Sequence, residues 1–294
     1  MQLNNSLHIR KDKEEKHKYL KQQLLDEIGE EFGRQIALAS EKGASSWLTS
    51  LPLGDYGYVL NKQEFKDAIL LRYNYTIHNM SRTCPCGELN STDHSLTCKL
   101  GGYISLRHNT VRDTVAYFLS RTCKDVVTEP KLLPLNGEKL PKQSNTQNDA
   151  RLDVSCRGFW TPLDKAFVDI RVFNPNTLSN AKKPIDSMYT SHKSEKKKAY
   201  NHRVMNIEHG SFTPLVFSTS GGISAECEKF MKHLASLLAT KTNQKYSDTI
   251  THIRRMLRFE LLKICLTSLR SHKGKDTKHH TQLMNLTSLD LMLH

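Results

Sequence analysis

The sequence predicts a mixed α+β fold. Three observations lead there: amphipathic helical stretches near both ends, a middle segment of short strand-like runs, and Asn/Gly/Pro-rich turns between those runs. From Leu7 to Lys42, Leu20, Leu24, Ile28, Phe32, Ile36 and Leu38 recur near helical spacing among charged residues, predicting a packing or interaction helix. Gly43-Ala44-Ser45-Ser46 breaks it, and Trp47, Leu48, Leu51 and Leu53 form an apolar anchor before the turn-prone Gly54-Asp55-Tyr56-Gly57. A second helix fits Lys62 to Tyr73, with Phe65, Ala68, Ile69 and Leu71 on its buried face, and a third fits Tyr103 to Arg121. Val126-Val127, Lys131 to Leu135, Ala150 to Cys156 and Ala166 to Phe173 then read as strands. Helix around Glu195 to Arg203, strand at Pro214 to Ser218, and amphipathic helices at Glu226 to Thr240 and Asp248 to Ser268 complete the core. Ser271 to His280 reads as a charged, flexible link.

These elements divide the chain into a helical region over 1–80, a small cysteine-rich knuckle over 81–102, an α/β core over 103–240 and a terminal helix with tail over 241–294. The 294 residues suffice for one or two soluble cores, and no apolar run approaches the roughly twenty residues of a membrane helix. The polar stretch from Met1 to Glu30 lacks the apolar middle and cleavage site of a secretory signal, so an intracellular protein is expected. A formal charge of +13 favours a polyanionic partner, nucleic acid before any other, through release of condensed counterions.

Only three of the seven cysteines cluster, which suits one metal site in a reducing compartment better than a disulfide framework. Cys84, Cys86, His94 and Cys98 offer soft and borderline ligands at short spacing, and four of them can close a tetrahedron around a structural zinc ion. The single residue between Cys84 and Cys86 is tighter than a CxxC knuckle, so His108 stands as an alternative to Cys98 for the fourth position.

Nuclease chemistry needs carboxylates that hold a hard divalent cation beside the scissile phosphate, with a cation to stabilise developing charge. Asp153 and Asp169 lie in consecutive strand-like runs, and Arg157 to Pro162 can turn the chain so that those strands pair. Arg171 shares a strand face with Asp169. Lys193, Lys197 and Tyr200 fall at i, i+4 and i+7 on the following helix, and Lys197 is the preferred cation, with Lys196 and Lys198 beside it.

In order, His94-Ser95-Leu96-Thr97-Cys98, Arg107-His108-Asn109 with Arg112, Glu129-Pro130, Asp153 and Asp169 resemble the C-terminal part of site-specific non-long-terminal-repeat retrotransposon proteins. There a CCHC zinc knuckle leads into a restriction-like endonuclease of the PD-(D/E)xK class. The resemblance runs from about Cys84 to Phe217. It implies a restriction-endonuclease-like core with a central mixed sheet flanked by helices, and magnesium-dependent DNA cleavage in the nucleus that leaves a 3′-hydroxyl to prime reverse transcription. It adds Glu129 to Asp153, Asp169, Arg171, Lys197 and Tyr200 as catalytic residues, with Asp153 and Asp169 as magnesium ligands. It also assigns Arg107, His108 and Arg112 to nucleic-acid contact.

This chain departs from the pattern at Leu152, where the family has Pro, and at Arg171, where it has Lys. No Tyr/Phe-x-Asp-Asp polymerase motif occurs in the sequence, so a detached C-terminal portion of a longer reverse-transcriptase protein is expected. The competing readings are a catalytically silent zinc-dependent nucleic-acid-binding protein, with RNA as a second partner, a decayed element fragment, and an adaptor that uses its end helices.

Overall fold

The computed structural model describes residues 2–133 and 150–271. The predicted strand from Lys131 to Leu135 and the predicted link beyond Ser271 fall partly outside these residues. The first helical stretch is two helices, α1 (Gln2–Glu27) and α2 (Glu30–Ala39). The break falls at Gly29, which takes an extended ψ of 161° and becomes the N-cap of α2. Leu20 and Leu24 on α1 remain exposed, whereas Leu38 and Ala39 at the end of α2 are buried.

Three further helices lead to the sheet: α3 (Lys62–Arg72), α4 (Thr92–Thr97) and α5 (Tyr103–Thr122). A capping box starts α3, where the Asn61 side chain accepts from Glu64 N and the Glu64 carboxylate accepts from Asn61 N. Ser91 caps α4 by accepting from His94 N at 3.0 Å. Hydrophobic periodicity does not predict this short helix, because six residues are too few to show a 3.6 period.

Four strands form one mixed sheet: β1 (Lys124–Thr128), β2 (Val154–Arg157), β3 (Lys165–Phe173) and β4 (Ser211–Ser218), ordered β1-β2-β3-β4. β1/β2 and β2/β3 are antiparallel, and β3/β4 is parallel. Parallel neighbours need a crossover, supplied by α6 (Ile185–Asn206). Gly210 leads into β4 because a Cβ there would lie 2.6 Å from the Lys165 carbonyl oxygen. Two long helices, α7 (Ala225–Thr242) and α8 (Tyr246–Arg270), complete the described residues.

The period-2 alternation of β3 sorts its side chains between two layers. Ala166, Val168 and Ile170 join the main core with Val111, Val115 and Phe118 of α5, Phe230 and Leu234 of α7, and Ile253 and Phe259 of α8. Phe167 and Phe173 face the other way, packing with Val204 and with Met188 and Tyr189 of α6. The main cluster also takes in Trp47, Ala68 and Leu96, so the N-terminal helices and the knuckle share the core of the sheet. At the far end, the guanidinium of Arg270 forks onto both carboxylate oxygens of Asp67, with Nε 2.6 Å from Oδ2, and clamps α8 to α3.

Candidate functional site

The side chains of Cys84, Cys86, His94 and Cys98 place one ligand atom each within 4.8 Å of one another, a set that can hold a zinc ion. Local backbone explains the convergence. Thr83 and Leu89 bridge antiparallel, Cys84 N donates to Glu88 O at 2.9 Å, and Gly87 turns the chain at φ +94°. The thiols thus stand on a tight knuckle, while α4 presents His94 and delivers Cys98 at its C-cap. Cys84 and Cys98 are buried with their sulfurs 3.7 Å apart, and Cys86 Sγ lies 3.3 Å from His94 Nε2. His108 does not belong to this set; its Nε2 lies 3.1 Å from Asp153 Oδ2. That geometry resolves the fourth position in favour of Cys98.

The carboxylates are positioned by the β2/β3 hairpin. Val154 pairs with Val168, so Asp153 lies one step along the ladder beside Asp169. At Asp153 the strand forks. Asp153 N still donates to Val168 O at 3.2 Å, but Leu152 N turns away to Pro130 O, and Ala150 O accepts from Leu132 N. The Asp153 carboxylate fills the opened ladder by accepting the Ile170 N–H through Oδ2. A side-chain acceptor thus replaces the missing backbone carbonyl.

Asp169 lies on the α6 face between Phe167 and Arg171 and is 5% exposed. Burial, and then the neighbouring Asp153 charge, push its carboxyl up to about 6, against the pull of Lys196. Lys196 Nζ stands 2.7 Å from Asp169 Oδ2, a close, largely buried ion pair. Burial opposes the charge on Lys196, but Asp169 outweighs it and the ammonium is held above its ordinary range. The ammonium also lies 5.8 Å from the centre of the Tyr200 ring. Burial and the charge of Asp169 raise the Tyr200 phenol.

The helix register differs from the expectation. Lys196 and Tyr200, at i and i+4, face Asp169, whereas Lys197 is exposed and Lys193 pairs with Glu226 at 2.9 Å. Lys197 is therefore not the cation beside Asp169. Arg171 lies toward α6 as its spacing implies, and its charge, after burial, helps depress the His192 imidazole.

Glu129 N donates to Asp153 O at 2.9 Å, which places the residue at the fork. Its carboxylate is turned outward to Arg112 and to Arg151, whose Nη1 is 3.7 Å away. His108 reaches the fork from α5. Burial lowers its imidazole pKa, but the bond to Asp153 and the charges of Asp153 and Asp169 outweigh this and raise it overall.

Of the residues assigned to nucleic acid, Arg107 is corrected by its burial. It is 3% exposed and donates to Leu96 O at 2.9 Å, joining α5 to the knuckle helix and leaving no cation for a phosphate. Arg112 is engaged by Asp113 and Glu129, and His108 by Asp153. Sequence reasoning passed over Arg151 and ranked Lys196 second. The i, i+4 spacing of Lys196 and Tyr200 was the available signal.

Comparison with protein-family models found no match, and a search of curated proteins likewise found none. No helix among the described residues is long and apolar enough to cross a membrane. Chemically, the fork gathers two carboxylates, a lysine ammonium and an imidazole, a set able to hold charge and to move a proton.

Proposed function

We propose that this protein is a metal-dependent DNA endonuclease of the restriction-like class, derived from a retrotransposon, with a structural zinc knuckle beside the nuclease core. The observation that carries the reading is the convergence at the strand fork of Asp153, Asp169 and Lys196 from three successive elements: the start of β2, β3 and the crossover helix α6. The arrangement of three antiparallel-linked strands, a crossover helix and a parallel fourth strand supports the same class.

Asp153 and Asp169 would hold magnesium, which supplies Lewis-acid activation of the phosphodiester and lowers the pKa of bound water. Lys196 stabilises charge developing on the phosphoryl oxygens and, through its pairing, keeps Asp169 ionised near neutral pH. Tyr200 packs against that ammonium and limits its freedom. His108 holds Asp153 in place from α5. Arg171 adds a fixed positive charge on the same sheet face.

The test is nicking of supercoiled plasmid by the zinc-loaded chain in magnesium, followed by extension with a DNA polymerase to detect a 3′-hydroxyl. Asp153→Ala and Asp169→Ala are each expected to abolish nicking. Equal nicking by Asp169→Ala overturns the assignment. Salt-sensitive DNA binding with no metal-dependent nicking by the wild-type chain identifies a nucleic-acid-binding protein without nuclease chemistry.

A further inference from the structure

At the other end of α5 the structure contains a cavity of about 780 Å³, between the loop around Leu53 to Tyr58, the C-terminal ends of α5 and α7, and the first turns of α8. Arg121, which lines it, is thirteen residues beyond His108, about 20 Å along a helix, so the cavity is separate from the carboxylate fork. Its aromatic wall, Tyr56 and Tyr58, is the outer part of a stack. Phe259 lies on Tyr58 with ring centres 5.0 Å apart and planes 23° from parallel, and Tyr58 lies on Tyr56 at 5.8 Å and 24°.

Phe259 and Tyr58 are buried, but Tyr56 is 48% exposed, so the stack ends on a ring open to solvent. Tyr58 is held by a 2.9 Å hydrogen bond between its hydroxyl and His252 Nδ1, and the His252 ring meets Tyr56 edge-on at 5.7 Å. Three cations, Arg121, Lys245 and Arg255, line the same cavity against one carboxylate, Asp248. Neither Lys245 nor Arg255 has a salt-bridge partner among the described residues, whereas Arg121 donates to the Tyr117 hydroxyl at 2.8 Å. An open ring face beside unpaired cations is complementary to a flat heteroaromatic ring that carries a phosphate.

We infer that this cavity binds one unpaired nucleotide, with the base stacked on Tyr56 and the phosphate held by Arg255 and Lys245. Such a unit reaches the cavity either as a free mononucleotide or within a single strand. A base pair within an intact helix keeps both faces of each base covered and cannot offer one to Tyr56. The inference rests on the stack and the cations alone, and is independent of the nuclease reading.

The experiment is fluorescence anisotropy of the full chain, without added magnesium, against a short fluorescein-labelled oligothymidylate, with adenosine monophosphate as competitor. Tyr56→Ala is expected to weaken oligonucleotide binding about tenfold, and Tyr56→Phe to leave it unchanged. Arg255→Gln is expected to weaken binding and reduce its salt dependence by about one counterion. Competition by the monophosphate identifies the free nucleotide as the ligand, and its absence identifies the strand. Photocrosslinks from a bromouracil-substituted strand are expected at the Leu53 to Tyr58 loop. If Tyr56→Ala and Arg255→Gln bind both probes as the wild type does, or if the crosslinks fall only elsewhere, the inference is overturned. Magnesium-dependent nicking tests Asp169 and magnesium-free binding tests Tyr56, so the two readings fail separately.

Discussion

Replacing Asp169 by Asn is expected to stabilise the fold at neutral pH. Burial and the Asp153 charge raise this carboxyl from 3.8 to about 6. The sign follows from proton linkage: the folded chain holds this proton more tightly than the unfolded chain, so the contribution to stability is fully present below about pH 3.8 and is lost as pH rises through about 6. The charged form is thereby less stable in the fold by about 3 kcal/mol at pH 7. Asn keeps the shape and carries no charge to desolvate, and the attraction to Lys196 that it gives up is already contained in the net rise to about 6.

A gain of about 3 kcal/mol corresponds to a melting temperature higher by about 6–12 °C. Urea denaturation of both proteins between pH 5.5 and 8 measures the difference; titrating groups remote from Asp169 cancel in the comparison, whereas His108, Asp153 and Lys196 respond to the loss of its charge. The advantage of the Asn variant is expected to shrink as pH falls through about 6. Magnesium is expected to stabilise the wild type and not the variant. An Asn variant less stable than wild type at pH 7.5, or an advantage independent of pH, refutes the account of Asp169 as a carboxylate held ionised at a cost to the fold.

Three other outcomes follow from the geometry. Lys196→Met is expected to reduce nicking by about a hundredfold or more, and Lys197→Met by less than about threefold, because only Lys196 touches Asp169; matched plasmid assays compare them. Cys98→Ser is expected to remove bound zinc, measured by elemental analysis of the purified chain, whereas His108→Ala retains it because His108 bonds Asp153 instead. Phe118→Ala is expected to destabilise the fold by about 3–5 kcal/mol in chemical denaturation, since Phe118 is buried in the main cluster against residues of α5, α7, α8 and the sheet.

Most elements could be read directly from the chain. The 3.6 periodicity located α3, α5, α7 and α8, and short strand-like runs between turn residues located β1 to β4; β3 and β4, covered on both faces, read as nearly continuous buried runs rather than as alternation. Cysteine and histidine spacing likewise found the metal cluster, since all four ligands lie within fifteen consecutive residues and local turns suffice to converge them. Asp153 and Asp169 were also legible, because a hairpin of neighbouring strands brings them together.

Only the tertiary structure decided what depends on the rotation and packing of distant elements. The angle at which α6 docks on the sheet selects Lys196 over Lys197, and one residue along a helix turns a side chain by about 100°. The resemblance assigns Arg107 to nucleic-acid contact, but the packing of α5 against the knuckle buries it on the Leu96 carbonyl. His108 was read as a zinc or nucleic-acid residue, and the fork between β2 and β3 gives it to Asp153. The stack ending on Tyr56 joins residues about two hundred positions apart, and no local spacing encodes that encounter.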